Sequence, residues 1–153
     1  MSIAEFEKEL HSLPEDWAVL IETNPEKVLD LSLDIIKLLT SKDNYGIILL
    51  SNRPYSSAVN IYNEKKIDLS KILFIDCISE QNELKSENVI YAGGITNLTE
   101  ISMALTEAST AIEANKFLLI DSLNTFLNHN EPAVFAKFIH HILTKARSRK
   151  TPC

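Results

Sequence analysis

Apolar positions along the chain fall into two rhythms, one of helical spacing and one of short unbroken runs. Ile3, Phe6, Leu10 and Leu13 recur at helical spacing, and Ser2 with Glu5 forms a capping box. A short helix is therefore expected from about Ile3 to His11, ending before Pro14. Trp17-Ala18-Val19-Leu20-Ile21 is a continuous apolar run, too short for a buried helix and suited to a central strand. Asn24-Pro25 reads as an N-cap followed by proline at the first helical position. The helix behind it carries Val28, Leu31, Ile35, Leu38 and Leu39 on one broad apolar face.

Tyr45 to Leu50 is a second buried strand, closed by the turn-prone Ser51-Asn52-Arg53-Pro54, and a helix from about Tyr55 to Glu64 follows. Ile72 to Ile75 forms a third strand ending at Asp76, and Val89-Ile90-Tyr91 a short fourth one before Gly93-Gly94. A helix from about Leu98 to Ala114, capped by Thr96 or Asn97, turns Ile101, Leu105, Ala108 and Ile112 inward. Phe117 to Ile120 is a fifth strand, ending at Asp121-Ser122. A last helix, about Pro132 to Arg147, turns Val134, Phe138, Ile142 and Leu143 towards the core. Strands that alternate with helices and are largely apolar predict an α/β fold in three layers: a mainly parallel sheet with helices on both faces. Right-handed crossovers then gather the strand C-terminal ends, and any ligand, along one edge. The pattern holds one domain over residues 1–153, without repeats, linkers or low-complexity segments. The chain reaches Thr151-Pro152-Cys153 just after a long helix, where such folds usually supply another strand, so either the sheet is reduced or the chain is shortened.

Composition changes this reading little. Apolar residues make up 45% and charged residues 24%, an ordinary globular balance. No apolar run approaches the ~18 residues that span a bilayer, and the acidic, amphipathic N-terminus is neither a secretory signal nor a transit peptide. The cysteines, Cys77 and Cys153, argue against a disulfide framework or zinc site and for a reducing compartment, with cytoplasm the expected location. The sequon Asn97-Leu98-Thr99 has no meaning without secretion. Net charge is −6, unevenly spread: setting aside Lys145, Arg147, Arg149 and Lys150 leaves 11 basic against 21 acidic residues, a balance of −10. An acidic body argues against a nucleic-acid face, and the basic tail reads as a solvated helix end that complements the helix dipole.

Phe117-Leu118-Leu119-Ile120-Asp121-Ser122 resembles a Walker B strand of the RecA/KaiC group of P-loop ATPases. Asn97 to Ile101 sits where that group has a comparable helix opening. The order of Gly46 to Pro54 with its following helix, then Ile67-Asp68 and Phe74-Ile75-Asp76, also follows KaiC-like domains. The likeness runs from about Trp17 to Arg149 and is one of pattern. It implies a glycine-rich phosphate loop after the first strand, whose backbone N–H groups converge on phosphate while a lysine neutralises charge. The matching segment here is Glu22-Thr23-Asn24-Pro25-Glu26-Lys27-Val28-Leu29-Asp30, which has no glycine. Pro25 removes a donor, Asn24 is expected to cap the remaining N–H groups, and Glu22, Glu26 and Asp30 against Lys27 leave −2 where a triphosphate needs positive charge. The family's catalytic acidic residues follow the second strand, where Asn52-Arg53 stands here. Asp121 and Ser122 are then a vestigial Walker B motif with no loop to serve.

Other residues each carry two readings. Asp76 and Asp121 end strands, as a paired-carboxylate site or as caps of loops and helices. Gly93-Gly94 can cradle an anion or simply make a tight turn. His140 and His141 are adjacent on a helix and point apart, and His129 falls in a polar loop, so surface histidines are expected. Cys77 is expected to be a buried structural thiol whose pKa Asp76 and Glu80 raise. Arg53, with Ser51, Asn52, Ser56 and Ser57, marks a ligand edge for a carboxylate or phosphate, or forms a salt bridge to Asp76 or Asp121. The expected protein is a non-catalytic regulatory or interaction module with no catalytic residue, metal or cofactor. Protein partners are expected, or the self-association that the resemblance implies, and neither nucleic acid nor membrane. The alternatives are a divergent ATPase using Lys27, Arg53 and Asp121, and a small-molecule enzyme built on Asp76, Asp121 and Arg53.

Overall fold

A computed structural model describes residues 2–79, 86–149 and 151–153; Glu80 and Lys150 lie outside the described residues. Helix α1, Ile3–His11, opens on the expected capping box: the Ser2 hydroxyl accepts the Glu5 N–H at 3.2 Å and the Glu5 carboxylate accepts the Ser2 N–H at 3.1 Å. A single 3₁₀ turn, Pro25–Lys27, leads into α2, Val28–Ser41. Strand β1, Tyr45–Leu50, is followed by α3, Tyr55–Glu64, and a 3₁₀ turn, Leu69–Lys71, by β2, Ile72–Asp76. Then come β3, Val89–Tyr91; α4, Leu98–Ala111; β4, Lys116–Asp121; α5, Leu123–His129; and α6, Pro132–Ser148.

The four strands form one parallel sheet in the order β3-β2-β1-β4. β1 is central because it is apolar on both faces: five of its six residues are buried. Gly46 is glycine for a packing reason, since a Cβ there would meet the Phe117 ring of β4 at 2.6 Å. One face of the sheet, through Ile48, Leu50, Ile72 and Phe74, packs under α1, α2 and α3. The other, through Ile47, Leu49, Ile75 and Leu118, packs under α4, α5 and α6. The three-layer α/β expectation therefore holds. Among the described residues no helix is long and apolar enough to cross a membrane.

Four expectations are corrected. Trp17 to Ile21 is not a strand of the sheet: Trp17 and Val19 pack against the core, and isolated backbone bonds join Val19 N–H to the Cys153 carbonyl and Cys153 N–H to the Trp17 carbonyl, both at 2.9 Å. A central strand is covered on both faces, whereas here Leu20 and Ile21 are 78% and 42% exposed. Val134 is 49% exposed in the first turn of α6, whose buried side chains are Phe135, Phe138 and Ile142. Asn24 stands at the N-cap position but makes no side-chain capping bond, and its carbonyl accepts the Lys27 N–H at 2.9 Å instead. Finally, α5 was not expected, and His129 is its last residue rather than part of a loop.

Candidate functional site

The C-terminal edge of the sheet brings Ser51, Asn52, Arg53, Asp76, Asp121 and Ser122 to one end of the molecule. Leu50 is level with both Asp76 and Asp121, one on each side. Their Cα atoms are therefore about 10 Å apart, two strand spacings. Asp76 is wholly buried and fully engaged. Its Oδ2 accepts the Tyr55 N–H at 2.8 Å and the Ser79 hydroxyl at 2.7 Å. Its Oδ1 accepts the N–H groups of Ile78 and Ser79, both at 2.8 Å. The carboxylate thus caps α3 and the turn after β2, with its lone pairs committed to the protein itself.

Asp121 is 6% exposed. Burial raises its pKa above the ordinary 3.8, opposed by the positive charge of Arg53 and by the Asn52 amide. Its carbonyl accepts the N–H of Ser51 at 2.9 Å and the Ser51 hydroxyl at 2.6 Å. The same hydroxyl accepts the Ser122 N–H at 2.7 Å, across a cis Asp121–Ser122 peptide. Asn52 donates to the Ser122 hydroxyl at 3.3 Å and accepts from Thr125 of α5. The Asp121–Ser122 pair is in this way stitched to the end of β1 by hydrogen bonds that leave Ser122 facing Asn52.

Arg53 is half-buried, and its Nε is enclosed without a hydrogen-bond partner. No ion pair joins it to either aspartate among the described residues; it acts on Asp121 through space. The expected salt bridge is therefore replaced by a longer-range attraction. Tyr62 of α3, which sequence reasoning did not single out, belongs to the same group. It is 3% exposed, and its phenol is pushed well above its usual pKa by burial and by Asp121, with Arg53 pulling the other way. Ser56 is exposed and Ser57 half-buried in the first turn of α3.

The segment from Glu22 to Asp30 is open to solvent: Glu22, Asn24, Pro25, Glu26, Lys27 and Asp30 are all exposed. Its 3₁₀ turn presents acidic side chains and no glycine-lined concavity.

The Gly93-Gly94 pair does receive an anion, but an internal one. Gly93 N–H donates to the Glu100 carboxylate at 2.7 Å, while Asn97 caps α4 by accepting the Glu100 N–H at 3.2 Å. A Cβ on Gly93 would collide with that carboxylate, and Gly94 takes the left-handed φ of 122° that makes the turn. Glu100 was legible in principle, since Asn97 and Glu100 stand at capping-box spacing.

Cys77 is 1% exposed, and burial, then Asp76, push its thiol up to about 12. Burial likewise pushes Cys153 up to about 11. Neither thiol has the depressed pKa of a nucleophile. His129, His140 and His141 are exposed, and among the described residues no group of His, Cys, Asp and Glu is placed to hold a metal ion. No protein-family model, curated protein or solved structure matches the chain.

Proposed function

We propose that the protein is a non-catalytic, RecA/KaiC-like domain that works as a protein-interaction module. The observation that carries this reading is the chemistry of the sheet edge. Of its two aspartates, Asp76 spends its lone pairs on the fold, and Asp121 is buried under conditions that disfavour its charge. A magnesium–triphosphate complex needs an ionised carboxylate, a cradle of N–H groups and local positive charge. The exposed turn Pro25–Lys27 is instead flanked by Glu22, Glu26 and Asp30. The same commitment of Asp76 weighs against a small-molecule enzyme built on the two aspartates. Interaction is favoured by Leu20 and Ile21, 78% and 42% exposed in the segment leading to that turn.

Calorimetric titration of ATP with magnesium into the purified chain tests the proposal. No binding at millimolar ATP is expected. Saturable binding that Asp121→Ala abolishes would establish the divergent ATPase in its place.

A further inference from the structure

Helix α6 runs from Pro132 to Ser148 without an Asp or a Glu, in a protein whose net charge is −6. Its inward face is Phe135, Phe138 and Ile142. Beside that face Lys137, His141 and Lys145 recur every fourth residue and so form one stripe, about 12 Å from end to end. Lys137 and His141 are exposed and Lys145 is half-buried. No ion pair neutralises either lysine among the described residues. Lys145 Nζ donates to the Thr106 hydroxyl of α4 at 3.4 Å, a long bond that leaves its charge uncompensated.

That bond crosses an open groove of about 760 Å³ between α4 and α6. The groove stays open because α4 lines it with short hydroxyl side chains, Ser102 and Thr106, one turn apart. Its remaining lining is apolar: Leu98 and the buried Phe138 lie deep, while Met103 and Val134 are 67% and 49% exposed. Among the described residues Glu107 is the one acidic side chain that lines it. An apolar patch beside unpaired positive charge calls for an occupant with both features. A groove this open buries too little of a small molecule to hold it. Nucleic acid would meet Glu107 and an acidic body, and would leave Met103 and Val134 in water. A flat membrane surface would not reach Phe138 between the helices.

We infer that the α4–α6 groove docks an acidic amphipathic helix of a partner protein, its apolar anchors seated on Met103, Val134 and Phe138 and its carboxylates set against Lys137, His141 and Lys145. A helix laid along α6 has the same rise per residue, so Asp or Glu at every fourth position meets all three basic groups in register. The apolar anchors supply the affinity, and the charges select the partner and speed its approach. The inference rests on the reading of the chain as an interaction module and names the docking surface and its partner's chemistry.

The test is a titration of the full 153-residue chain with a fluorescein-labelled peptide of four Ala-Glu-Leu-Ala repeats, which carries Glu and Leu on adjoining helical stripes. Anisotropy reads the affinity and methyl NMR the location. Saturable binding is expected, with shifts at the Met103 and Val134 methyl groups. Exchanging every Glu of the peptide for Lys should weaken binding at least about tenfold, by a margin that narrows with added salt. The double variant Lys137→Glu, Lys145→Glu should bind the acidic peptide more weakly by a similar factor and should recover binding of the lysine peptide. That rescue separates docking from damage to the fold, which circular dichroism of the variant also reads. Binding that ignores both charge reversals, shifts that avoid Met103 and Val134, or no binding at millimolar peptide would each overturn the inference. Tighter binding of oligothymidylate or of phosphatidylserine vesicles would give the stripe to nucleic acid or membrane in place of a partner helix. Concentration-dependent dimers that the double variant dissociates would replace the partner with a second copy of the chain. Saturable ATP binding in the separate calorimetric test would overturn the interaction-module reading without touching the peptide result.

Discussion

The Asp76 carboxylate accepts the backbone N–H of Tyr55 at 2.8 Å, so the last residue of β2 caps the first turn of α3 from 21 positions away. Pro54, at the N-cap position of that helix, offers no side-chain cap of its own. The helix start, the strand end and the turn through Ser79 thus share one buried anion, neutralised by three N–H groups and a hydroxyl. Hydrogen bonds to a charged acceptor are the stronger kind, and leaving such donors buried without partners costs more than the bonds contribute.

Asp76→Ala should therefore destabilise the fold by about 3 kcal/mol or more, measured by urea unfolding. Asp76→Asn should lose less, since its carbonyl oxygen still accepts while its amide opposes one donor. A loss below about 1 kcal/mol for the alanine variant would mean that water replaces the carboxylate and that this cap is dispensable.

Asp121 titrates in the opposite sense to an ordinary paired carboxylate. Its folded pKa lies above the ordinary 3.8 because burial outweighs Arg53. The folded state then holds a proton that the unfolded chain has already released, and this contribution to stability is lost as pH rises through the folded pKa. Asp121→Asn removes that dependence, so its melting temperature should gain on the wild type as pH is raised from about 4 to about 7. Arg53→Met should do the reverse, losing most at neutral pH, where Asp121 is deprived of its nearest compensating charge. Parallel melting curves for wild type and Asp121→Asn across that range would show that Asp121 is not penalised by burial.

Much of the fold was readable because the strands are short apolar runs bounded by turn residues. Tyr45–Leu50 and Val89–Tyr91 fall where the pattern places them, and α3 runs from Tyr55 to Glu64 as expected. The same rule fails at Trp17 to Ile21, where apolarity alone does not make a central strand and Leu20 and Ile21 are left exposed. Helix α5 was missed since Leu123–His129 spans only two turns and offers one buried side chain, Phe126, too little for a period to register. At the candidate site, the positions of Asp76, Asp121 and Arg53 at one edge were legible from strand ends. Their states were not: whether a strand-end aspartate caps a helix or waits for a ligand depends on donors such as Tyr55 and Ser79, and the charge on Asp121 depends on burial. Both are set by packing between distant segments.

The contact between Gly93 and Glu100 joins the end of β3 to the first turn of α4. The carboxylate accepts the Gly93 N–H at 2.7 Å and stands in the first turn of α4, where a negative side chain complements the helix dipole. Glu100→Gln keeps the acceptor but removes the charge and should cost about 0.5–1 kcal/mol. Gly93→Ala should cost more, since its Cβ meets the carboxylate itself. The pair should be non-additive: once Glu100 is shortened to Ala, the Gly93→Ala substitution should become markedly less costly. A double-mutant cycle by urea unfolding measures this coupling, and simple additivity would show that the two residues do not interact in solution.

The bonds made by Thr151–Cys153 tie Trp17 and Val19 to β4. Thr151 is 6% exposed and its N–H donates to the Ala146 carbonyl at 2.8 Å, closing α6. Pro152 and Cys153 then satisfy Leu118 on one side and Trp17 with Val19 on the other. Removing Thr151-Pro152-Cys153 deletes four backbone hydrogen bonds, each contributing about 1 kcal/mol net. Water replaces part of that loss, so the expected cost is about 2–3 kcal/mol. The diagnostic signal is local. Amide exchange should quicken most at Leu118 and Val19, by more than the global loss of stability explains, while Ile48 and Phe74, inside the sheet, follow the global change alone. Uniform quickening would mean that the three residues stabilise the whole fold through burial of Thr151. Selective quickening would place them as a strand in its own right, and Trp17 to Val19 as its outer neighbour.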